Sequence, residues 1–564
     1  MRKALGVAVL LCVAIFLCVT SAAAEEYGPI AIDQRPSLGA QKQGSYYEYR
    51  FAIRNTSAQQ HSVGIDIKSL VFLGSSSGET HTVRQFTVGP RSTEVVSIPQ
   101  YIAAPNAGTP DAVVAIDGRE QSLHLTVTRA SGFDWSNTRY VLVARHVPPS
   151  YVTALLPDSA AGIGVRADIP ASEWSDQWIQ YGRFDGALLT ARDWGEMTPA
   201  VRNAFWRWVS AGGTVIFFGL PADLPEVRPA AGIQNVWGAY HGFGTIVIAG
   251  HSEELSESAV AELRMLLQRA SGAPPSLDQV SSALPALEKT AIPVGSMFLV
   301  LIGFAFAGGP VSLFMLAKRD RRIWIFITLP LLAVATAVTV VGAVLANEGW
   351  VRIQKSSTVT LLDEARAEAT TIGWAGFYST FPPNAGVRFD PDSEVRPFFL
   401  PKDAVTDWTD GQRFVSGWIG SRVPSHFAFR KCESRRERVP LRVAGGRLYA
   451  LNGLGVTIKD LLVAGDDGAI FRAQHIPAGK EMVLLPAGQR VDAAKDPALL
   501  YGPAAMWHSL YGRVSAEQRQ FLQPGTYVAV LEGSPFVEKA LARPTRSEAQ
   551  SVVIGIAKRG PHAS

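Results

Sequence analysis

Between residues 25 and 132 apolar and polar side chains alternate in short runs. Tyr47-Glu48-Tyr49-Arg50-Phe51-Ala52-Ile53 and Val63-Gly64-Ile65-Asp66-Ile67 put every second side chain on one face, the period of a half-buried strand. Turn-forming clusters separate the runs. The pattern predicts an antiparallel, immunoglobulin-like β-sandwich, without the Cys and Trp landmarks of true immunoglobulins.

From residue 138 to 270 the rhythm changes to strand, helix, strand. Buried strands are expected at Arg139 to Ala144, Gly186 to Thr190, Thr214 to Phe218 and Thr245 to Ala249. Between the second and third of these, Thr198 reads as an N-cap, Pro199 as the first helical residue, and Val201, Phe205, Trp208 and Val209 as one apolar face. Gly212-Gly213 is the stop. A last helix, Ser256 to Arg269, precedes a linker over 271–291 that opens Ser271-Gly272-Ala273-Pro274-Pro275. The arrangement predicts a parallel α/β domain.

Two long apolar runs follow, at 292–316 and 323–346, each above the ~20 residues that a helix needs to cross the hydrocarbon. Both are expected to be transmembrane helices. Pro310, after Gly308-Gly309, should bend the first, and Ala335, Thr339 and Ala343 give the second a row of small residues for close packing. The loop over 317–322 carries Lys318, Arg319, Arg321 and Arg322, the topology determinants that favour the cytoplasmic side.

The N-terminus points to the same orientation. Arg2 and Lys3, the apolar stretch Ala4 to Val19 and Ala22-Ala23-Ala24 have the layout of a signal peptide over residues 1–24. Cys12 and Cys18 fall within it, which leaves Cys432 alone and no internal disulfide to hold the exported parts. Residues 350–564 are again strand-rich, with a hairpin turn at Ala464-Gly465-Asp466-Asp467-Gly468 and another turn beginning at Pro477-Ala478-Gly479-Lys480. One or two β-sandwich modules are expected there. The fold class is therefore multidomain α/β plus β, with an N-terminal β-sandwich, a parallel α/β domain, two transmembrane helices and a C-terminal β-rich domain.

Composition narrows the function. Charged residues make up 18% of the chain, below the ~25% of average soluble proteins, as segments in lipid require. A net charge of +4 over 564 residues gives no basic face for nucleic acid. A cytoplasmic loop of a few residues leaves no room for ATP or NAD chemistry on that side. The expected location is the bacterial inner membrane, crossed twice, with the N- and C-terminal parts in the periplasm.

Phe184-Asp185-Gly186-Ala187-Leu188-Leu189, Trp208-Val209-Ser210-Ala211-Gly212-Gly213-Thr214-Val215 and Gly242-Phe243-Gly244-Thr245-Ile246-Val247 resemble the corresponding elements of class I glutamine amidotransferase-like domains. That family implies an α/β fold and a cysteine nucleophile, but residues 138–270 contain no cysteine, so the resemblance implies the fold without the chemistry. The order of elements, with Gly309-Pro310 and the arginine-rich loop, also resembles uncharacterised bacterial exported double-pass membrane proteins that carry such a domain.

Candidate chemistry is sparse. Gly74-Ser75-Ser76-Ser77-Gly78 matches a hydrolase elbow in letters, but an alternating strand from Thr80 follows instead of a helix, so a polar loop is expected. His146, Arg192, Asp193, Trp194 and His251 each follow a predicted strand of the α/β domain, where open parallel sheets bind ligands, and form the candidate ligand crevice. Asp193 bonding Arg192 or a backbone amide, and His251 capping a helix, are the structural alternatives. Asp390-Pro391-Asp392-Ser393-Glu394 reads as a solvated turn, and Arg430, Lys431, Arg435, Arg436 and Arg438 as an exposed loop or a lipid contact. No catalytic residue, metal ligand or cofactor is assigned. The expectation is a non-catalytic envelope protein that binds the bilayer and other membrane proteins. The alternative is an exported hydrolase or small-ligand-binding protein that uses the strand-end crevice.

Overall fold

The computed structural model describes residues 24–39, 41–73, 76–103, 110–127, 139–157, 162–222, 224, 228–229, 236–249, 255–270, 280, 284, 294–314, 324–348, 351–465, 467–490, 522 and 524–557. His251, the basic loop with Lys318, Arg319, Arg321 and Arg322, the segment 503–517 and nearly all of residues 1–24 lie outside them. Strands far outnumber helices in the described chain, a multidomain α/β plus β architecture.

The N-terminal strands are β1 (Glu25–Tyr27), β2 (Ile30–Arg35), β3 (Ser45–Asn55), β4 (His61–Leu73), β5 (Ser76–Val88), β6 (Thr93–Ile102), β7 (Asp111–Ile116) and β8 (Arg119–Leu123). One sheet has the order β1-β2-β3-β6 and the other contains β5-β4-β7-β8. The alternation read from the sequence supplies the core between them: Tyr47, Tyr49, Phe51 and Ile53 from β3 meet Val63, Ile65 and Ile67 from β4. The elbow-like serine run falls at the β4–β5 hairpin, where Leu73 pairs with Ser76. Strands on both sides exclude an elbow, while Gly74 and Ser75 themselves lie outside the described residues.

The α/β domain comprises β9 (Tyr140–Val143), α1 (Pro149–Leu155), β10 (Ile163–Arg166), β11 (Gly186–Thr190), α2 (Ala191–Glu196), α3 (Pro199–Ser210), β12 (Thr214–Phe218), β13 (Arg228–Pro229), β14 (Trp237–His241), β15 (Gly244–Ala249) and α4 (Glu257–Ala270). The sheet order is β10-β9-β11-β12-β15-β14-β13. Its first five strands are parallel, β14 runs antiparallel to β15, and β13 pairs antiparallel with β14. Every expected strand is present, and α3 begins as expected, with Val201 N–H donating to the Thr198 hydroxyl at 3.3 Å. Gly212 ends that helix at φ +111°, a backbone that costs any residue with a Cβ. The sequence reading missed α1, β10, the edge hairpin of β13 and β14, and α2. Each is short, and no periodicity shows over so few residues.

Among the described residues one helix is long and apolar enough to cross a membrane. It is α6 (Ile325–Glu348), whose window Ile325–Gly342 has a mean hydropathy of 2.3. The other apolar helix, Phe298–Phe314, is shorter, so one of the two expected full-length spans is met among the described residues. The helix α5 (Val294–Phe306), which overlaps its start, runs into a π turn over Ala307–Val311 that contains Pro310. Proline has no N–H to donate, and the ladder widens where it is missing. The Ser312 hydroxyl donates to the carbonyl of Gly308. Close approach occurs at Gly308, which is buried against Leu329 and Leu332, whereas Ala335 and Thr339 stay exposed.

The remaining strands are β16 (Arg352–Asp363), β17 (Glu368–Ser379), β18 (Val387–Phe389), β19 (Ser393–Pro397), β20 (Ala404–Asp407), β21 (Gln412–Ser416), β22 (Ser425–Ser434), β23 (Leu441–Ala444), β24 (Arg447–Leu451), β25 (Ile458–Ala464), β26 (Ala469–Ile476), β27 (Glu481–Arg490), β28 (Thr526–Leu531) and β29 (Arg546–Ile556). Eleven of them form one sheet, ordered β19-β22-β17-β16-β29-β28-β25-β26-β27-β24-β23. Both expected turns are there: Gly465 N–H donates to the Ala469 carbonyl at 2.9 Å, and Lys480 N–H to that of Pro477 at 3.1 Å.

The C-terminal strands do not stay together. β20 pairs in parallel with β5, and with β21 and β18 it extends the N-terminal sheet to seven strands, β18-β21-β20-β5-β4-β7-β8. The stretch 350–564 expected as a β-rich domain of its own therefore lends three strands to the sandwich. Val280 and Leu284, from the linker before the apolar helices, are buried beside Val359, Ile372 and Trp374 of the eleven-stranded sheet.

The basic stretch also departs from expectation. Its first residues lie on the end of β22, an interior strand, where Lys431 is buried and the Arg430 side chain is 13% exposed. Every second residue of His426-Phe427-Ala428-Phe429 lies on one face, and Arg430 and Lys431, next in the strand, face opposite sides of it. Their density of charge hid the strand: Arg430 meets Glu394 and Lys431 meets Glu538, whereas Arg436 and Arg438 stay exposed as expected. Asp390 does begin a turn, with Ser393 N–H donating to its carbonyl at 2.9 Å, but Glu394 lies on β19 and is 1% exposed.

Candidate functional site

β9 and β11 are parallel neighbours, so the residues that follow their carboxyl ends come together above the sheet. Thr190 closes β11 and caps α2. Its hydroxyl donates to Asp193 Oδ2 at 2.6 Å, and its backbone N–H reaches the same oxygen at 3.0 Å. The Asp193 N–H donates back to the Thr190 hydroxyl at 3.2 Å, which completes a capping box. The other oxygen, Oδ1, lies 2.7 Å from His146 Nδ1 and accepts the His146 backbone N–H at 3.2 Å. Asp193 is 1% exposed and both its oxygens are engaged.

His146 Nε2 stands 3.8 Å from Glu196 Oε1, and Arg192 Nε donates to the same carboxylate at 3.2 Å. The crevice thus gathers His146, Arg192 and Asp193, and adds Glu196, which the sequence reading passed over although its i,i+4 spacing from Arg192 was visible. Trp194 is not part of it. Its ring turns into the core against Phe205, Trp206 and Phe217, and its indole N–H donates to the Ala222 carbonyl at 3.0 Å. His251 lies outside the described residues. Of the two alternatives for Asp193, bonding to backbone amides holds, and Arg192 turns to Glu196 instead.

What this arrangement can do is limited by saturation. A histidine oriented by a carboxylate is half of a catalytic relay, but among the described residues no hydroxyl or thiol is bonded to His146. Nor does any group of three or more His, Cys, Asp and Glu among the described residues form a metal-binding set. Cys432 is 1% exposed, and burial pushes its thiol up to about 12, with the Thr370 hydroxyl as its hydrogen-bond donor. A thiol held protonated in an apolar setting is inert.

The larger charge assembly lies where three parts of the chain meet. Glu394 of β19 accepts hydrogen bonds from Arg396 Nε at 2.6 Å and Arg430 Nε at 2.9 Å. The guanidiniums pass the contact on to the α/β domain, Arg396 donating to the Gly182 carbonyl at 2.9 Å and Arg430 to that of Ala211 at 3.0 Å. A Cβ on Gly182 would stand 2.8 Å from the Glu394 carboxylate, so the approach requires glycine. Burial acts to raise the Glu394 carboxyl, but the two guanidiniums outweigh it and hold the group below the usual carboxylate range.

From the sandwich, the Tyr46 hydroxyl donates to the Val395 carbonyl at 2.8 Å and accepts from Gln412 Nε2 at 2.6 Å. Lys42 pairs with Asp185 at 2.6 Å, which ties the sandwich to the α/β domain directly. A second contact joins the α/β domain to the eleven-stranded sheet. There Arg366 Nη1 lies 3.2 Å from Nδ1 of His241, and burial, with the neighbouring guanidinium adding to it, lowers that imidazole to about 3.

The fold and site define a multidomain α/β plus β protein with one helix of membrane-spanning length and composition among the described residues. No family model matches the chain, and no curated protein does. Among solved structures, Spo0M, a sporulation control protein from Bacillus subtilis, aligns at a TM-score of 0.13 and 13% identity, over 19% of this chain. The chain spans about half of Spo0M, 51% of its length. The yeast delta-COP-I mu-homology domain aligns at a TM-score of 0.19 and 6% identity, covering 36% of this chain and 95% of that one. A Paenibacillus sp. cycloisomaltooligosaccharide glucanotransferase aligns at 0.15 and 11% identity, over 35% of this chain and 27% of its own. At such scores none of these likenesses carries an argument about function.

Proposed function

We propose that this chain is a membrane-anchored, non-catalytic binding or assembly protein of the bacterial envelope, with its β and α/β parts on the outer side of the inner membrane. The parallel pairing of β20 with β5 carries the reading, because these strands flank the apolar helices in sequence yet share one sheet. They must lie on the same side of a bilayer, which calls for an even number of crossings between them. A hairpin of α6 and the run 292–316, bent at Pro310, meets that requirement. Lys318, Arg319, Arg321 and Arg322 between the two favour a cytoplasmic turn, which supports an outer location for the rest. The bilayer and other envelope proteins are the partners. The alternative, a hydrolase or ligand-binding protein at the strand-end crevice, loses support from the saturation of Asp193, and the amidotransferase-like resemblance comes without a cysteine.

In-cell crosslinking followed by identification of co-purified proteins tests the assembly role. Discrete membrane partners are expected, and a chain recovered free of any partner overturns it. Topology is read separately with Gln121→Cys and Lys480→Cys, both exposed positions, while buried Cys432 stays silent. An impermeant maleimide should label both in intact spheroplasts; labelling that needs permeabilisation contradicts the orientation.

A further inference from the structure

A cleft of about 510 Å3 opens where β16 and β29 pair in parallel, under the segment that joins β28 to β29 and beside Lys459 of β25. Its volume falls within the roughly 300–1,000 Å3 of small-molecule sites. The lining is polar. The hydroxyl residues Ser356, Ser534 and Ser547 contribute to it, and Val537 and Ala549 are its apolar members, too few for apolar burial to drive binding.

The charges at the cleft are unequally committed. Glu538 is taken by Lys431, and Glu548 by Lys355 at 3.0 Å and by Arg546 at 2.5 Å. Lys459, Lys539 and Glu532 have no ion-pair partner among the described residues. Two free cations and one free carboxylate therefore face a hydroxyl-lined cavity, a set that answers an anion carried on a hydroxyl-rich body. The walls are already in place. Leu541 N–H donates to Gln354 Oε1 at 3.1 Å, Thr358 and Ser534 hydroxyls stand 3.3 Å apart, and Phe536 is 0% exposed, so the covering segment is fastened to the strands beneath it. A pre-formed site loses less ordering entropy when it binds.

We propose that this cleft binds a small acidic saccharide, with Lys459 and Lys539 on its carboxylate and the serines and Glu532 on its hydroxyls. The site does not depend on the anchoring role or on the side of the membrane, so either idea can fail alone. Titration calorimetry on the full-length chain in nanodiscs, with glucuronate, glucose and acetate as probes, tests it. Glucuronate should bind at least about tenfold more tightly than the other two, and Lys459→Ala with Lys539→Ala should weaken it by about tenfold or more, as loss of charge-assisted hydrogen bonds does. Both lysines are exposed, so the thermal midpoint should not move. Lys480→Glu, at an exposed turn that is not part of the cleft lining, controls for a general loss of positive charge and should leave binding intact. The proposal is overturned by absent glucuronate binding, by equal binding of glucose or of acetate, by indifference to the two lysines, or by an equal loss in Lys480→Glu.

Discussion

Asp193 and Glu394 are each 1% exposed, yet they spend that burial differently. Asp193 works within a few residues of itself: it caps α2, holds Thr190 and steers one histidine from the adjacent strand. Glu394 works across the molecule, since its two arginines reach the carbonyls of Gly182 and Ala211, more than 200 residues away in sequence. The first sits where sequence reasoning seeks a ligand site and turns out to be saturated by local hydrogen bonds. The second fell in a stretch read as solvated and forms the junction that joins the α/β domain to the eleven-stranded sheet. A buried charge is therefore weak evidence of chemistry until its partners are counted.

The sharpest break of this comparison is Glu394→Ala, which strands Arg430 with its side chain 13% exposed and no carboxylate in contact. Losing one member of a buried pair costs about 3–5 kcal/mol, to be read by urea denaturation of the detergent-solubilised chain. A loss below about 1 kcal/mol would show that the junction does not couple the two parts.

The next effect is pH-dependent and belongs to the same interface. His241 is neutral in the fold down to about pH 3, whereas the unfolded chain takes up its proton near 6.5. Between these values the unfolded state binds more protons, so stability is complete above pH 6.5 and falls as the pH drops towards 3. This one group should remove about 2–3 kcal/mol between pH 7.5 and 4.5. Denaturation at the two pH values, compared with His241→Phe, isolates it; equal acid sensitivity in the variant would contradict the assignment.

At the strand-end crevice the effects should be smaller. Asp193→Asn keeps the shape but weakens the capping box and the His146 contact, for about 1–2 kcal/mol. Arg192→Ala removes a side chain that is 72% exposed and should change stability by no more than about 0.5 kcal/mol. The ranking is the test: a larger loss from Asp193→Asn than from Glu394→Ala would invert the comparison.

Much of the fold was legible where its cause is local. The sandwich alternation, the strands Gly186–Thr190 and Thr214–Phe218, the Thr198-Pro199 helix start and the turns at Gly465 and Pro477 each depend on a few neighbouring residues. The crevice was legible in part, because the rule that ligands gather at the ends of parallel strands correctly placed His146, Arg192 and Asp193 near one another. It failed for Trp194, since direction around a short helix depends on which neighbours offer a core. Glu196 went unread for want of that same helix.

By itself, then, the sequence determined the kinds of element, the two apolar runs and the change from β to α/β and back, because side-chain period and turn chemistry act over a handful of residues. The tertiary structure alone decided that β20 would lie along β5, that β16 would lie along β29, and that Glu394 and Lys431 would be interior. Strand pairing is paid for by contacts with partners distant in the chain, and a cation can be buried wherever the fold delivers a carboxylate to it. Neither condition is written in the residues beside it.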